Sequence, residues 1–159
     1  ELAIKQLGEA GYGHYEVSNW ATGDHECQHN LIYWRNQDYV GVGPGAHSHL
    51  QNHRWGNRRP VPGYINRIAQ NKSVEAFRET ISPRLAMGET MMLGLRLVQE
   101  GVAHARFQAL HGTHLTQIFA AEVAQLQGWG MLEVDEERVR LTQQGLMLGN
   151  QIFARFLPD

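Results

Sequence analysis

The side chains best suited to chemistry are concentrated in residues 25–34, HECQHNLIYW. Histidine, cysteine and tyrosine are the protein side chains that ligate haem iron, and His29, Cys27 and Tyr33 supply one of each. His29 and Tyr33 are four residues apart, so they would share one face of a helix. These residue types could therefore form a haem-binding segment in which His29, Cys27 or Tyr33 ligates the iron.

Two neighbouring residues extend this interpretation. Trp34 has a broad flat ring of the kind on which a porphyrin stacks, and Asn30 could donate a hydrogen bond to a propionate or orient an imidazole. The same composition is also typical of an ordinary polar loop with aromatic residues, because loops gather such side chains. The sequence by itself leaves this alternative open.

Zinc is a weaker interpretation of the same segment. His25, Cys27 and His29 alternate, so on an extended chain their side chains would point the same way. Their spacing matches no structural zinc motif, and a fourth ligand is not evident.

A second candidate segment is residues 41–48, GVGPGAHS. Gly43, Gly45 and Ala46 would let a ligand approach the backbone closely, and His47 adds another imidazole as a candidate metal ligand. The segment is neither a Walker A loop, since no Gly-Lys-Ser/Thr follows, nor a dinucleotide fingerprint. The alternative interpretation is a tight turn at the end of a strand.

The elements that must position these residues change character near residue 60. All five Tyr and six of the nine His lie in residues 1–64, whereas all five Phe and all five Met lie in residues 65–159. The change coincides with two prolines and a glycine, which interrupt regular structure. We therefore predict three parts: residues 1–60, a connecting segment 61–81, and a C-terminal domain 82–159.

The first part has the pattern of an α/β unit. Residues 1–10 predict a helix that stops at Gly11, and residues 12–20 alternate like one strand. Residues 21–37 predict a long polar loop. Residues 38–43 predict a second strand that runs into the glycine turn.

The C-terminal domain has a clearer pattern, typical of a winged helix. Ser82 before Pro83 predicts the start of a helix that runs to about Val98, and further helices are expected over residues 104–110 and 114–127. Residues 131–134 and 138–141 predict a hairpin. Thr142 then predicts the N-cap of a last helix.

Charge and composition exclude several classes of function. Fourteen Lys and Arg against sixteen Asp and Glu give a net charge of −2, which argues against non-specific binding to nucleic acid or to an anionic membrane. The predicted recognition helix, residues 114–127, has no Lys or Arg, so we expect no DNA binding. The sequence has no run of 18 apolar residues, so we predict no transmembrane helix. The single cysteine suits a reducing cytoplasm and cannot by itself hold an iron–sulfur cluster.

Taken together, the motifs resemble a known family. Residues 16–20 (EVSNW), 29–34 (HNLIYW), 39–48 (YVGVGPGAHS) and 89–97 (ETMMLGLRL) are similar to the radical SAM haem chaperones of the oxygen-independent coproporphyrinogen III oxidase-like family. The resemblance follows nearly the whole chain in order. It implies that His29, the histidine of the HNxxYW motif, is the haem ligand.

The resemblance also implies an architecture. A mixed α+β or α/β fold would contain the last part of an incomplete (β/α) radical SAM barrel, followed by a winged-helix-like C-terminal domain. In the full-length relatives a [4Fe–4S] cluster and S-adenosyl-L-methionine are cofactors, but the CxxxCxxC motif that holds the cluster is absent from this sequence. We therefore expect no radical chemistry from this chain alone. We expect haem to pass to an acceptor haemoprotein in the cytoplasm.

An incomplete barrel would expose strand edges, which predicts pairing with another chain and hence a homodimer. Two other functions remain open on the sequence. One is a fragment of an anaerobic coproporphyrinogen III oxidase, which would take an iron-free porphyrinogen and need no axial ligand. The other is a non-catalytic interaction module that is indifferent to substitution of His29.

Overall fold

The structure is a computed structural model that describes residues 2–158. Its helices, in chain order, are α1 (Leu2–Glu9), α2 (Gln28–Trp34), α3 (Val61–Ala69), α4 (Pro83–Gly94), α5 (His104–His111), α6 (Leu115–Ile118), α7 (Ala120–Gly128), α8 (Gln143–Met147) and α9 (Gly149–Ala154). Its strands are β1 (Gly13–Glu16), β2 (Asn19–Ala21), β3 (His47–Leu50), β4 (His53–Asn57), β5 (Glu75–Thr80), β6 (Val102–Ala103), β7 (Leu132–Val134) and β8 (Arg138–Leu141).

The predicted mixed class of helices and strands is confirmed. The strands form a hairpin β1-β2 and two three-stranded sheets with the orders β3-β4-β5 and β6-β8-β7, and each of these ladders is antiparallel. Over residues 2–158 no sheet closes into a barrel.

The chain divides into two compact units, which differ from the predicted three parts. The insert unit is Gln37–Ser82, and the helical unit joins the described residues before Gln37 to those from Pro83 onward. The boundary expected near residue 60 lies inside the insert unit, because β4 before it pairs with β5 after it. Prolines at positions 60 and 62 mark the start of α3, where a missing N–H costs nothing, rather than a linker between domains.

The helical unit is built around one large hydrophobic core. Phe119 lies at its centre in edge-to-face contact with Phe107 and Phe156, at ring-centroid distances of 6.2 and 5.3 Å. All three rings are fully buried. Helix α4, the residue directly after it and the sheet β6-β8-β7 supply further core residues: Met91, Leu95, Val102, Leu132, Val139 and Leu141.

Most predicted elements of the C-terminal domain are confirmed, but two of the expected helices are each divided in two, the last one into α8 and α9. The hairpin β7-β8 forms, and the Thr142 hydroxyl accepts a hydrogen bond from the Gly145 N–H at 2.9 Å as an N-cap. The helix expected over residues 114–127 is instead two helices, α6 and α7, which meet at Phe119. The break lets that large side chain enter the core together with Leu115 and Val123.

The first part of the chain differs more from its prediction. The single strand expected over residues 12–20 is the hairpin β1-β2, because the Glu16 carboxylate accepts hydrogen bonds from the Ser18 N–H and the Asn19 side chain and so closes a turn. The expected loop over residues 21–37 contains α2. The strand expected over residues 38–43 does not form, since only Tyr39 pairs, with His49.

The last difference changes the setting of the glycine segment. Gly43, Gly45 and Ala46 precede β3 instead of following a strand. None of the helices in residues 2–158 is both long enough and apolar enough to cross a membrane.

Candidate functional site

Helix α2 carries the most chemically suggestive residues. Its Leu31 side chain is buried beside Tyr15 and Leu97, which turns His29 on the opposite side toward solvent. The Nε2 atom of His29 lies 3.1 Å from the Tyr33 hydroxyl oxygen, and the two rings meet edge-to-face at 4.9 Å. The expectation that these two residues share a helix face is confirmed.

Trp34, at the end of α2, already has one face covered. The Arg96 guanidinium lies 4.2 Å from the centroid of the Trp34 ring, and the buried Glu16 carboxylate holds Arg96 at 2.6 Å. The face toward Arg96 is therefore closed to a porphyrin. A recess of about 260 Å³ lies beside this pair, lined also by Met92 and Phe153.

The other two sequence-predicted residues of this segment lie on either side of His29 in the chain. Cys27 is the exposed residue directly before α2, and Asn30 is half-buried within the helix. Because the helix begins at Gln28, the alternation of His25, Cys27 and His29 does not continue as an extended chain. Across the described residues no group of three His, Cys, Asp or Glu side chains is placed to hold a metal ion.

An ion cluster fixes the carboxyl end of α2 to the rest of the helical unit. Arg35, the C-cap of α2, donates to the Glu100 carboxylate at 2.7 Å, and Arg106 lies 3.6 Å from the same carboxylate. The hydrogen bonds that Arg35 donates to the Glu100 carboxylate raise the pKa of Arg35, while burial lowers the pKa of Arg106. These contacts hold α2 so that its exposed face keeps a fixed orientation.

The glycine segment forms a tight loop in the insert unit. Gly43 and Gly45 have φ angles of 103° and 72°, which favour glycine because a Cβ atom would be strained there. The Asn57 side chain donates to the Gly43 carbonyl at 2.9 Å, and the Gly45 N–H donates to the Arg58 carbonyl at 3.0 Å. The loop is thereby fastened to the segment that follows β4.

This fastening creates a concave site that the sequence analysis missed. We call it the arginine recess; its volume is about 430 Å³, and it is bounded by His47, Asn57, Arg58, Arg59, Pro60 and Phe77. The ring of His47, on β3, lies 5.5 Å from the ring of Phe77, on β5. The two adjacent arginines were a usable signal, but the nearby prolines and glycine led us to predict a domain boundary there.

The sequence-predicted site residues are thus divided between the two units. His29, Asn30, Tyr33, Trp34 and Cys27 belong to the helical unit, and Gly43, Gly45, Ala46 and His47 to the insert unit. Within its unit, each group is brought together by a short element: one helix in the first case, and a loop with its following strand in the second.

Comparison with known proteins now defines the class. Residues 81–148 match the family model of the HemN C-terminal domain. A solved structure titled "Coproporphyrinogen III oxidase (HemN) from Escherichia coli is a Radical SAM enzyme" shares the fold over 98% of this chain and 39% of that one, with a TM-score of 0.72 and 16% identity.

Two relatives make the relationship more specific. "Heme chaperone HemW" of Bacillus subtilis (strain 168) is 35% identical over all 159 residues, and that of Lactococcus lactis subsp. lactis (strain IL1403) is 33% identical over the same length. The resemblance to radical SAM haem chaperones is confirmed. The chain spans 42% and 41% of the length of these two relatives.

The donor set of this chain does not fit an iron–sulfur cluster. Such a cluster normally requires three or four thiolates, and the sequence has one cysteine, Cys27, whose side chain is exposed. The residues of this chain therefore do not supply the ligands of such a cluster.

Proposed function

We propose that this chain takes part in haem binding and delivery, with His29 as the iron ligand. The observation that carries the proposal is the exposed imidazole of His29, held 3.1 Å from the Tyr33 hydroxyl, in a chain that aligns over its full length with proteins named heme chaperones. A neutral imidazole is a common axial ligand of haem iron, and haem is here the cargo and not a resident cofactor.

The contact with Tyr33 suits a protein that must release its haem. If iron binds Nε2 of His29, the Tyr33 hydroxyl has to leave that nitrogen, and it remains nearby to replace the iron later. The axial bond then has a built-in competitor, which weakens it and favours exchange to an acceptor haemoprotein. Asn30 is proposed as a polar contact to the bound haem, and Cys27 and His47 as alternative iron ligands.

The wider setting of the proposal comes from the relatives. In the full-length protein a [4Fe–4S] cluster and S-adenosyl-L-methionine would be held by residues outside this chain, in a protein of the cytoplasm. Pairing of two copies is proposed through β5, which lies at the edge of the sheet β3-β4-β5. Sedimentation equilibrium tests this part: a monomer at all accessible concentrations would contradict it.

The central test is a titration of the chain with hemin, followed by visible absorption. We expect a saturable shift of the Soret band that is lost or at least about tenfold weaker in His29→Ala, because an axial ligand is removed. His25→Ala is the matched control, since His25 is another exposed histidine of the same segment. Equal binding by His29→Ala and the unsubstituted chain would contradict the role of His29.

The same titration separates this proposal from the oxidase alternative. An oxidase fragment would take an iron-free ligand without an axial bond, so its binding would not depend on His29. Tyr33→Phe adds a second criterion: removal of the competing hydroxyl should leave hemin binding at least as tight and slow its release to apomyoglobin. A faster release would contradict the competitor role of Tyr33.

A further inference from the structure

The arginine recess has an electrostatic setting that the net charge of the chain conceals. Residues 37–82 contain six Lys and Arg against three Asp and Glu, whereas the remaining residues contain eight against thirteen. The insert unit is therefore basic within an acidic chain. An anion that approaches the chain is attracted to this unit and repelled by the rest.

Some arginines of the insert unit form ion pairs with glutamates of the same unit, and others do not. Arg54 and Arg78 form ion pairs with Glu79 and Glu75, each at 2.6 Å. Arg58 and Arg59 have no ion-pair or hydrogen-bond partner for their guanidinium groups among residues 2–158. Two adjacent guanidiniums at a concave site are thus left with their charge uncompensated.

The backbone around the recess keeps this arrangement in place. The Asn57 N–H donates to the Ala46 carbonyl at 2.8 Å, and the Arg58 N–H donates to the Val74 carbonyl at 2.9 Å. A Cβ atom on Gly45 would lie 3.4 Å from Cγ of Arg59, so the glycine loop packs directly on the arginine side chain. The recess is a built feature of the fold and not a chance gap between mobile side chains.

The chemistry of the walls indicates the class of ligand. A guanidinium binds a carboxylate through two parallel N–H donors, so two arginines suit two carboxylates. The ring of Phe77, which is 44% exposed, and Pro60 offer an apolar wall beside the charges. The first turn of the nine-residue helix α3 begins at the same place and favours negative charge there.

We propose that the arginine recess binds the paired carboxylates of a porphyrin, with Arg58 and Arg59 as donors and Phe77 against the edge of the ring. The choice of a porphyrin among aromatic dicarboxylates rests on the proposed haem-handling function. A volume of about 430 Å³ accommodates the carboxylate-bearing edge of the macrocycle. Iron is not required for this contact.

Iron-free protoporphyrin IX tests the proposal separately from the role of His29. Binding to the full 159-residue chain is followed by tryptophan fluorescence, with the double variant R58Q/R59Q compared with the unsubstituted chain. We expect about tenfold weaker binding in R58Q/R59Q, because two charge-assisted contacts are lost. Arg54, which forms an ion pair with Glu79, supplies the matched control: R54Q should bind protoporphyrin IX as tightly as the unsubstituted chain does.

Two further arms make the result specific. Protoporphyrin IX dimethyl ester lacks the free carboxylates, so it should bind equally to the unsubstituted chain and to R58Q/R59Q. The variant R58K/R59K should recover only part of the affinity for protoporphyrin IX, because lysine lacks the planar guanidinium. Circular dichroism checks that each variant is folded.

The proposal fails if R58Q/R59Q binds protoporphyrin IX as tightly as the unsubstituted chain, or if R54Q weakens binding equally. It also fails if inorganic phosphate displaces the porphyrin at an equal concentration, because that result identifies a general oxyanion site. The His29→Ala variant should leave protoporphyrin IX binding unchanged. If R58Q/R59Q weakens protoporphyrin IX binding but His29→Ala does not weaken hemin binding, only the role of His29 as iron ligand is refuted. If His29→Ala weakens hemin binding but R58Q/R59Q does not weaken protoporphyrin IX binding, only the role of the arginine recess is refuted.

Discussion

The two units of this chain use their residues in opposite ways. In the helical unit fourteen buried residues form one hydrophobic cluster, centred on three phenylalanine rings. In the insert unit the ring of Phe77 is 44% exposed, and Val61, Ile65 and Ile68 of α3 are also exposed. The difference shows that the helical unit owes its stability to packing, whereas the insert unit presents apolar and basic side chains at its surface.

The largest expected effect lies in the packed core. Phe119→Ala should destabilise the chain by about 3–5 kcal/mol, because a fully buried ring is replaced by a cavity. Urea denaturation followed by circular dichroism measures the change in the free energy of unfolding. Leu110→Ala is the control, since Leu110 is 53% exposed and its truncation should cost far less. Equal losses in the two variants would contradict the packing described for the core.

Glycine-to-alanine substitutions compare the packing of the two units more directly, since the same chemical change is made in each unit. Gly88 lies in the helical unit, where an added Cβ would collide with the carbonyl oxygen of Phe156. Because backbone and not a flexible side chain must move, we expect Gly88→Ala to cost about 1–3 kcal/mol in the same denaturation experiment. A neutral result would show that the α4–α9 contact is looser than the structure has it.

The corresponding change in the insert unit should have the opposite sign. A Cβ on Gly63 would meet no atom within 4 Å, and Gly63 lies in the exposed helix α3. We expect Gly63→Ala to stabilise the chain by about 0.5 kcal/mol, because alanine loses less conformational freedom in a helix. The midpoint of urea unfolding should therefore rise. A fall would indicate that α3 packs more tightly than described.

The smallest expected effect concerns pH and is assigned to the helical unit. Burial lowers the pKa of His111, whose Nε2 lies 2.9 Å from the Thr90 hydroxyl oxygen. The unfolded chain then binds this proton more readily than the folded one. The contribution to stability is present above the unfolded pKa of about 6.5 and is lost as pH falls through the folded pKa.

Urea unfolding at about pH 7.5 and about pH 5.5 measures this contribution. His111→Gln should lose less stability between the two pH values than the unsubstituted chain does. An unchanged pH dependence in His111→Gln would refute the assignment.

The success of sequence-based prediction also differs between the units. In the C-terminal domain apolar residues recur with helical period, and a cap such as Thr142 acts within three residues. The hairpin and most of the helices were therefore predicted correctly, although the helix break at Phe119 was not. In the insert unit the strands β3 and β4 are rich in His, Arg and Gly and carry no alternating apolar pattern. Strand β4 also pairs with β5, which follows only after helix α3, and no local pattern reports this contact.

The candidate site shows the same division. The spacing of His29 and Tyr33 sufficed to predict their contact, because both lie on one short helix. The covering of Trp34 by Arg96 was not predictable, since 62 residues separate the two in the chain. The sequence places Arg58 and Arg59 directly before a predicted domain boundary, because Pro60 and Pro62 break regular structure in either setting.

The sequence by itself determined the resemblance to haem chaperones, most of the helix pattern of the C-terminal domain and the pairing of His29 with Tyr33, because each depends on motifs of residues close together in the chain. Only the tertiary structure decided that Glu16 holds Arg96 over Trp34, and that the glycine loop packs on Arg59. It also decided that residues 37–82 form a unit of their own. The reason is physical: these contacts join distant segments, and burial and strand pairing select them over many alternatives that the local sequence permits equally well.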